Sequence, residues 1–393
     1  MGKTPLVTGV LPVLFIARIV QHFVIDLLLA TCACAEGYAE QTRQLQNQAR
    51  RYEEWPSLPQ RAEAQGMAPL LYRHLKPLAT PIPDACLKVL AGLTLRHRHA
   101  NAIRNKVLAD YLRALGQQNV EALVLKGAAL ANSVYPQPGL RPMRDMDLLV
   151  RRTDAIRAQQ ILRELGFTAE IPQPEALSSS HQLPVAQRVV EGLTVSIEVH
   201  HWLLPTAQQP ASQAVTFEML RPKARVLQVD DEPALTLGHE EMLWHIYRHA
   251  MAKPLIAQPV RLIWVADFTS TVETYLDEIN WPRLRSAYPE IWNILPLFHW
   301  LTPWSKKVLD KLQLAVDQPP KGAGMMFQGW PQSSLAQQRK KGLGVFLKDT
   351  FWPPEWWLRL YYGAAGRGPG WWWTRLVRHP LHIGGWVLHY LRE

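Results

Sequence analysis

Residues 140–150, LRPMRDMDLLV, place two aspartates one residue apart at the start of an apolar run. Because side chains alternate across a β-strand, Asp145 and Asp147 share one face while Met146 and Leu148 point into the core. Two neighbouring carboxylates repel each other, and burial disfavours both ions unless a positive charge lies beside them. The pair therefore marks either a solvated strand end or a strand that opens on a cation-binding site.

The run TVSIEVH, residues 194–200, has the alternation of a second strand. Glu198 and His200 share one face of this strand, and its valines and isoleucine fill the other. If the two strands pair in one sheet, Glu198 comes beside Asp145 and Asp147. Three carboxylates around one point form a hard-oxygen site for Mg²⁺. Two such ions can clamp the attacking and leaving oxygens in phosphoryl or nucleotidyl transfer.

Positive charge and backbone donors for a phosphate lie in the same part of the sequence. Lys126 and Gly127 fall between the short β-rich run EALVLKG and a predicted helix, AALANSVYP. Amides at the N-terminus of that helix would face an anion. Arg141 and Arg144 flank the acidic pair, and two interpretations stay open: they bind a triphosphate, or they neutralise the aspartates.

The stretch LVLKGAALANSVYPQPGLRPMRDMDLLV, residues 123–150, resembles the bacterial family of uncharacterised nucleotidyltransferases, within the DNA polymerase β-like superfamily. In that family a Lys-Gly pair precedes Arg-Pro-x-x-Asp-x-Asp-Leu-Leu-Val. Three later pieces are also similar: EVH at 198–200, WHIYRHAMA at 244–252 and RLIWVADF at 261–268. The resemblance implies an α+β fold in which a small mixed sheet of the polymerase β type is embedded in a mostly helical protein.

The resemblance also implies an Mg²⁺-dependent enzyme that moves an NMP from an NTP, with ATP the first choice, to an unidentified acceptor hydroxyl and releases pyrophosphate. Asp145, Asp147 and Glu198 would hold two Mg²⁺ ions and carry catalysis. Glu198 would also serve as base for the acceptor hydroxyl. The nucleotide-binding residues would be Lys126, Gly127, Arg141, Arg144 and His200.

Two positions depart from the pattern of the wider superfamily. Ala128 follows Gly127 where a serine is usual, so one hydroxyl contact to phosphate is missing. Glu198 is longer than the usual aspartate. The alternative function is therefore a catalytically inactive protein of the same fold that acts as a binding or scaffold protein at a membrane surface. Three carboxylates on one face favour the enzyme, because an inactive protein has no reason to keep them.

The chain has 393 residues, which is enough for two or three domains. Helical spacing dominates before the acidic strands and returns after them. The predicted divisions are an N-terminal helical region at 1–118, a nucleotidyltransferase α/β core at 119–204, a helical domain at 205–318, and a linker with a Trp-rich basic C-terminal segment at 319–393.

Composition favours a cytoplasmic protein. The three cysteines support neither a disulfide framework nor a zinc site, which indicates a reducing compartment. Near the N-terminus, Arg18, His22 and Asp26 recur every four residues through an apolar run. Such a polar stripe predicts an amphipathic helix rather than a membrane span or a signal peptide.

The C-terminal segment has two interpretations. From Arg339 to Glu393 there are nine Lys or Arg against three acids, together with seven of the 16 tryptophans. The aromatic side chains form the core of a helical subdomain, or they hold the enzyme at the inner-membrane surface with Arg359, Arg375 and Arg378 on lipid headgroups. Nucleic acid is the weaker partner, because the net charge of +10 permits it but no DNA-binding module is present.

Three further residues are ambiguous from the sequence. His245 and His249 have a metal-like i, i+4 spacing, but their neighbours are typical of a core, which favours structural histidines. Asp267 either faces an acceptor pocket or caps a helix, and the sequence does not decide between these roles.

Overall fold

The computed structural model describes residues 27–205, 213–251, 261–299, 301–315, 343–353, 355–364 and 368–390. It combines many helices with one six-stranded mixed sheet. The predicted α+β class is therefore confirmed. The amphipathic helix predicted around Arg18, His22 and Asp26, and the linker DQPPKGAGMMFQGWPQSS at 317–334, lie outside the described residues.

The sheet joins strands from both sides of the acidic motif. Its strands are β1 (Ala122–Val124), β2 (Asp145–Val150), β3 (Ala186–Val190), β4 (Leu193–His200), β5 (Arg225–Val229) and β6 (Glu232–Thr236). Their order across the sheet is β3-β4-β2-β1-β6-β5. Strand β2 runs parallel to β4 and antiparallel to β1, and β1 runs parallel to β6. The predicted pairing of the two acidic strands is confirmed.

Alternation explains how the two central strands pack. On β4, Val195, Ile197 and Val199 are fully buried, as are Met146 and Leu148 on β2. These apolar side chains form one layer of the core, and burying each large one contributes roughly 1.5–3 kcal/mol. The opposite alternation directs the acidic side chains of both strands to the other face.

The hairpin of β5 and β6 was not predicted, and it extends the sheet beyond residue 204, where only helices were expected. Leu235 and Thr236 pair with Leu123 and Val124 of β1. The turn between the two strands places Asp230 at φ 53°, a conformation that Asp adopts more readily than most residues. The run RVLQVDDEPALT, residues 225–236, alternates as two strands joined by a turn would. The helical spacing that follows it led to the prediction of a helical domain instead.

The N-terminal helices form a layer beside the sheet. They are α1 (Leu27–Thr31), α2 (Ala39–Ala49), α3 (Leu58–Ala64), α4 (Ala68–Leu75) and α5 (Asp84–Gln117). Asn101 on α5 donates through Nδ2 to the carbonyls of Pro138 and Arg141, at 2.7 and 2.8 Å. This long helix therefore fixes the loop that leads into the acidic strand.

The remaining helices complete the body and the C-terminal segment. They are α6 (Lys126–Ser133), α7 (Ala155–Glu164), α8 (Phe217–Leu220), α9 (His239–Ala250), α10 (Leu262–Thr274), α11 (Trp281–Ala287), α12 (Pro289–Phe298), α13 (Lys306–Leu312), α14 (Leu343–Phe351), α15 (Glu355–Tyr362), α16 (Pro369–Trp373) and α17 (His379–Tyr390), with a π-helical turn at Thr374–Arg378 before α17. In the described part of the chain, no helix is both long and apolar enough to cross a membrane.

The C-terminal helices pack on the body through specific contacts. The Tyr247 hydroxyl donates to the carbonyl of Tyr361 at 2.9 Å, and Asn293 donates to the carbonyl of Gly363 at 2.9 Å. Trp371 is buried, in agreement with the aromatic-core interpretation, whereas Trp372 and Trp373 are 55% and 62% exposed. The buried Trp371 therefore fits the interpretation as a helical core, and the exposed Trp372 and Trp373 fit the interpretation as a membrane-surface contact.

Candidate active site

A cleft of about 510 Å³ opens where β2 and β4 meet the helices. Its walls come from the start of β2, the end of β4, the N-terminus of α6, and helices α9 and α10. All eight residues singled out from the sequence line it: Lys126, Gly127, Arg141, Arg144, Asp145, Asp147, Glu198 and His200.

Asp147 lies at the centre of the acidic group. The parallel register sets it directly opposite Glu198, and it sets Asp145 opposite Ser196. The Lys126 ammonium donates to Asp147 Oδ1 at 2.6 Å, and His200 Nε2 lies 2.9 Å from the same oxygen. A buried carboxylate thus has two cationic or polar partners on one oxygen.

These partners decide the charge of the centre. Burial alone would raise the pKa of Asp147, but the Lys126 ammonium and His200 hold that pKa well below its usual range. Burial opposes the charge on Lys126 as well, yet the attraction of Asp147 leaves the pKa of Lys126 raised. Asp147 and Lys126 are therefore an ion pair across the neutral pH range.

Asp145 lacks such a partner. It is solvent-exposed at the mouth of the cleft. Partial loss of solvation at the cleft mouth and the repulsion of Asp147 raise the pKa of Asp145, and the more distant Lys126 only partly offsets them. Asp145 is therefore a carboxylate whose charge no described cation balances at contact distance.

The donor set fits a divalent cation. One ligand atom each from Asp147, Glu198 and His200 lie within 4.8 Å of one another. The His200 Nε2 atom is 3.6 Å from Glu198 Oε2, and its buried Nδ1 atom has no hydrogen-bond partner among the described residues. Carboxylate oxygens are the ligands that Mg²⁺ prefers, and Asp145 on the same cleft can add another. Lys126 places one positive charge beside Asp147 in this group.

The turn at Lys126 and Gly127, where the sequence predicts phosphate binding and which we call the phosphate turn, contains a strained lysine. Lys126 adopts a positive φ of 46° at the first residue of α6, a conformation rare for a long side chain. A Cβ on Gly127 would overlap Arg141 Nη1, so any side chain there would displace the Arg141 guanidinium. Ala128 is fully buried. The backbone and Lys126 therefore offer the donors of this turn.

Arg141 has a partner that neither open interpretation foresaw. Its guanidinium binds Asp267 through two hydrogen bonds, Nε to Oδ1 at 3.1 Å and Nη2 to Oδ2 at 2.7 Å. The Tyr135 hydroxyl also donates to Asp267, at 2.8 Å. Arg141 therefore neutralises Asp267 and neither acid of the opening motif. Asp267 lies within α10 and not at its start, so it does not cap that helix.

Sequence reasoning missed several residues of the cleft. The His181 ring lies 5.3 Å from the His200 ring, and burial followed by the charges of His200 and Lys126 lowers the pKa of His181 to about 3. His245 and His249, interpreted as structural, line the wall that α9 contributes. Other lining residues without a sequence signal are Glu63, His97, Arg261 and Trp264.

The family can be identified at this point. The model of a family described as uncharacterised nucleotidyltransferase matches residues 52–293, which is more than half of the chain. The chain belongs to this family. It is a nucleotidyltransferase, as the resemblance of residues 123–150 implied, and the matched range contains every residue of the cleft.

Two solved structures are similar to this nucleotidyltransferase. One is a solution structure of the antibiotic-resistance factor ANT(2'')-Ia, at 15% identity over 51% of this chain and 98% of that chain, with a TM-score of 0.34. The other is a crystal structure of ANT(2'')-Ia in complex with adenylyl-2''-tobramycin, at 15% identity over 48% of this chain and 99% of that chain, with a TM-score of 0.32. Among curated proteins, none matches the sequence.

Proposed function

We propose that this nucleotidyltransferase moves an NMP from an NTP, with ATP the first choice, to an acceptor hydroxyl and releases pyrophosphate in an Mg²⁺-dependent reaction. The observation that carries the proposal is the register of β2 and β4, which sets Asp147 opposite Glu198 with Lys126 at 2.6 Å. Acidic side chains this close together in a cleft, beside a strained turn, are more typical of a catalytic site than of a site that only packs the fold.

The residues divide the reaction between them. Asp145, Asp147 and Glu198, with His200, would hold up to two Mg²⁺ ions, which neutralise the charge on phosphate oxygens during such transfers. Glu198 takes the proton as the acceptor oxygen bonds to the α-phosphorus. The bond to the β-phosphate oxygen breaks, and pyrophosphate leaves with its electron pair. Lys126 and the amides after Gly127 bind the phosphates.

Calorimetry of NTP binding tests the proposal. The native chain should bind at least one of the four NTPs in the presence of Mg²⁺ and lose that binding with EDTA. The variant Asp145→Asn/Asp147→Asn should lose it as well, whereas Asp84→Asn, on an exposed aspartate of α5, should bind like the native chain. Absence of binding to all four NTPs would favour the alternative, a scaffold protein of the same fold.

A specific observation supports contact with a membrane surface. The last helices carry several exposed apolar side chains, with Trp372 and Trp373 joined by Leu376 (55% exposed) and Leu381 (71% exposed). Arg378 lies beside them with its guanidinium 4.8 Å from the ring of Tyr362. We propose that this face binds anionic lipid headgroups. Arg359 is buried, so it does not take the part expected from the sequence.

Flotation with vesicles of phosphatidylethanolamine and phosphatidylglycerol tests this contact. Trp372→Ser/Trp373→Ser should lower vesicle binding about tenfold, because two interfacial aromatic rings are lost. The matched control is Val226→Ser on β5, whose valine is 72% exposed. Equal flotation of the native chain and the tryptophan variant would refute the membrane contact and leave the nucleotidyl transfer proposal unchanged.

A further inference from the structure

Two arginines in the cleft wall stand without carboxylate partners. Arg144 precedes β2, and Arg261 precedes α10. Within the described ranges, neither guanidinium forms an ion pair, although both line the cleft together with Lys126 and Gly127. Arg141 differs from them, because its Nε and Nη2 atoms both donate to Asp267.

The fold positions Arg261 through a dedicated contact. At the start of α10, the amides of Leu262 and Ile263 donate to Gln65, to Oε1 at 3.0 Å and to the carbonyl at 3.2 Å. The next residue, Gly66, has a φ of 73°, and a Cβ there would lie 3.0 Å from Arg261 Nη2. The turn after α3 therefore leaves room for the guanidinium and fixes the helix that carries it.

Two acids that line the cleft near Arg261 already have cationic partners. Glu63 binds Arg96 and lies 2.9 Å from His97, and Asp267 binds Arg141. Burial, followed by the charges of Arg144 and Arg141, lowers the pKa of Arg261. Arginine nevertheless stays protonated in proteins, so Arg261 and Arg144 bring to the cleft two positive charges that no described carboxylate pairs with. Two such guanidinium groups are available to an anion.

We propose that Arg261 and Arg144 bind the terminal phosphates of the NTP. This deepens the proposed nucleotidyl transfer and rests on it. We choose phosphate because of where the arginines lie. Arg141 lies over Gly127 of the phosphate turn, and Arg261 and Arg144 line the same cleft, near enough that the charges of Arg144 and Arg141 act on Arg261. Guanidinium groups bind phosphate oxygens in a bidentate manner.

Calorimetry with inorganic tripolyphosphate in Mg²⁺ tests the pair without any assumption about the base. Arg261→Gln and Arg144→Gln should each weaken binding about tenfold, the value of one charge-assisted hydrogen bond. Arg163→Gln, on an exposed arginine of α7 outside the cleft, should bind like the native chain. Thermal unfolding of each variant should match that of the native chain, since no described ion pair is lost.

The outcomes separate this inference from the function on which it rests. Native-like tripolyphosphate binding by both glutamine variants would overturn the role of the arginines while leaving the nucleotide site intact. If the native chain binds neither tripolyphosphate nor any NTP, nucleotidyl transfer itself fails and the inference fails with it. Should Arg261→Gln unfold, the exposed Arg144→Gln decides alone.

Discussion

The cleft contains two buried carboxylates with cationic partners, and they differ in how completely those partners satisfy them. Asp267 receives two hydrogen bonds from Arg141 and one from Tyr135. Asp147 has both its partners, Lys126 and His200, on Oδ1, and no described residue donates to Oδ2. Glu198 lies across from Asp147, whereas Asp267 belongs to none of the described acidic groups with metal-ligand geometry.

The difference separates structure from function. The bidentate pair holds α10 against the loop before β2, and both oxygens of Asp267 are already occupied by donors. Asp147, by contrast, has one oxygen, Oδ2, to which no described residue donates, and it lies beside other acids, so it can bind a cation. We therefore propose that Asp267 stabilises the fold and that Asp147 takes part in the reaction, and the following variants test that division.

The largest effect should come from Asp147→Asn. Removing this charge takes away a metal ligand and the partner of Lys126, so nucleotidyl transfer should fall by roughly 1,000-fold or more. Pyrophosphate release from an NTP, with a small-molecule cell extract as the source of acceptor, measures the rate. A loss below tenfold in a folded variant would contradict the role of Asp147.

Asp267→Asn should act on stability instead. It leaves the guanidinium of Arg141, whose side chain is 11% exposed, without a counter-charge, and breaking such a buried pair costs about 3 kcal/mol. Urea unfolding should show this loss, while the folded fraction keeps its affinity for NTP. The interpretation would be wrong if stability were unchanged and NTP binding were lost.

Tyr135→Phe tests the pair of Arg141 and Asp267 with a smaller change. The phenol donates one buried hydrogen bond to Asp267 at 2.8 Å, and losing it should cost about 1 kcal/mol. Tyr111→Phe is the control, because its buried hydroxyl bonds a backbone carbonyl of α7 and lies outside the cleft. Both variants should lose similar stability, and neither should change the affinity for NTP.

The smallest effect, of opposite sign, should come from Asp145→Asn. The folded-state pKa of Asp145 is raised, so its ionisation costs stability as pH rises above the unfolded value of about 3.9. Replacing it should raise the thermal midpoint slightly at pH 7, and the gain should vanish below about pH 4, where Asp145 is protonated in both states. Thermal melts across this range measure it, and a lower midpoint at pH 7 would contradict the absence of a balancing cation.

The strands of the site could be predicted from the sequence because their signals are local. Alternation in DMDLLV and TVSIEVH determines which side chains share a face, and a parallel pairing then brings Glu198 to Asp147. Helical spacing before the acidic strands likewise predicted helices, and α5 (Asp84–Gln117) is one of them. These features depend on residues that are close in the chain.

The parts that could not be predicted depend on distant contacts. Arg141 and Asp267 are 126 residues apart, and a single sequence contains no sign that they meet. The same holds for Arg261, which the turn at Gln65 and Gly66 positions in the cleft. The hairpin of β5 and β6 is different, since its alternation and its turn at Asp230 were present in the sequence and were overlooked.

Binding of Mn²⁺, followed by electron paramagnetic resonance in the presence of an NTP analogue that cannot be cleaved, tests the central claim most directly. The native chain and the folded fraction of Asp267→Asn should bind Mn²⁺ with equal affinity, and Asp147→Asn should lose that binding. Equal Mn²⁺ binding by Asp147→Asn and the native chain would contradict the claim that Asp147 and its neighbours form the metal site of this nucleotidyltransferase.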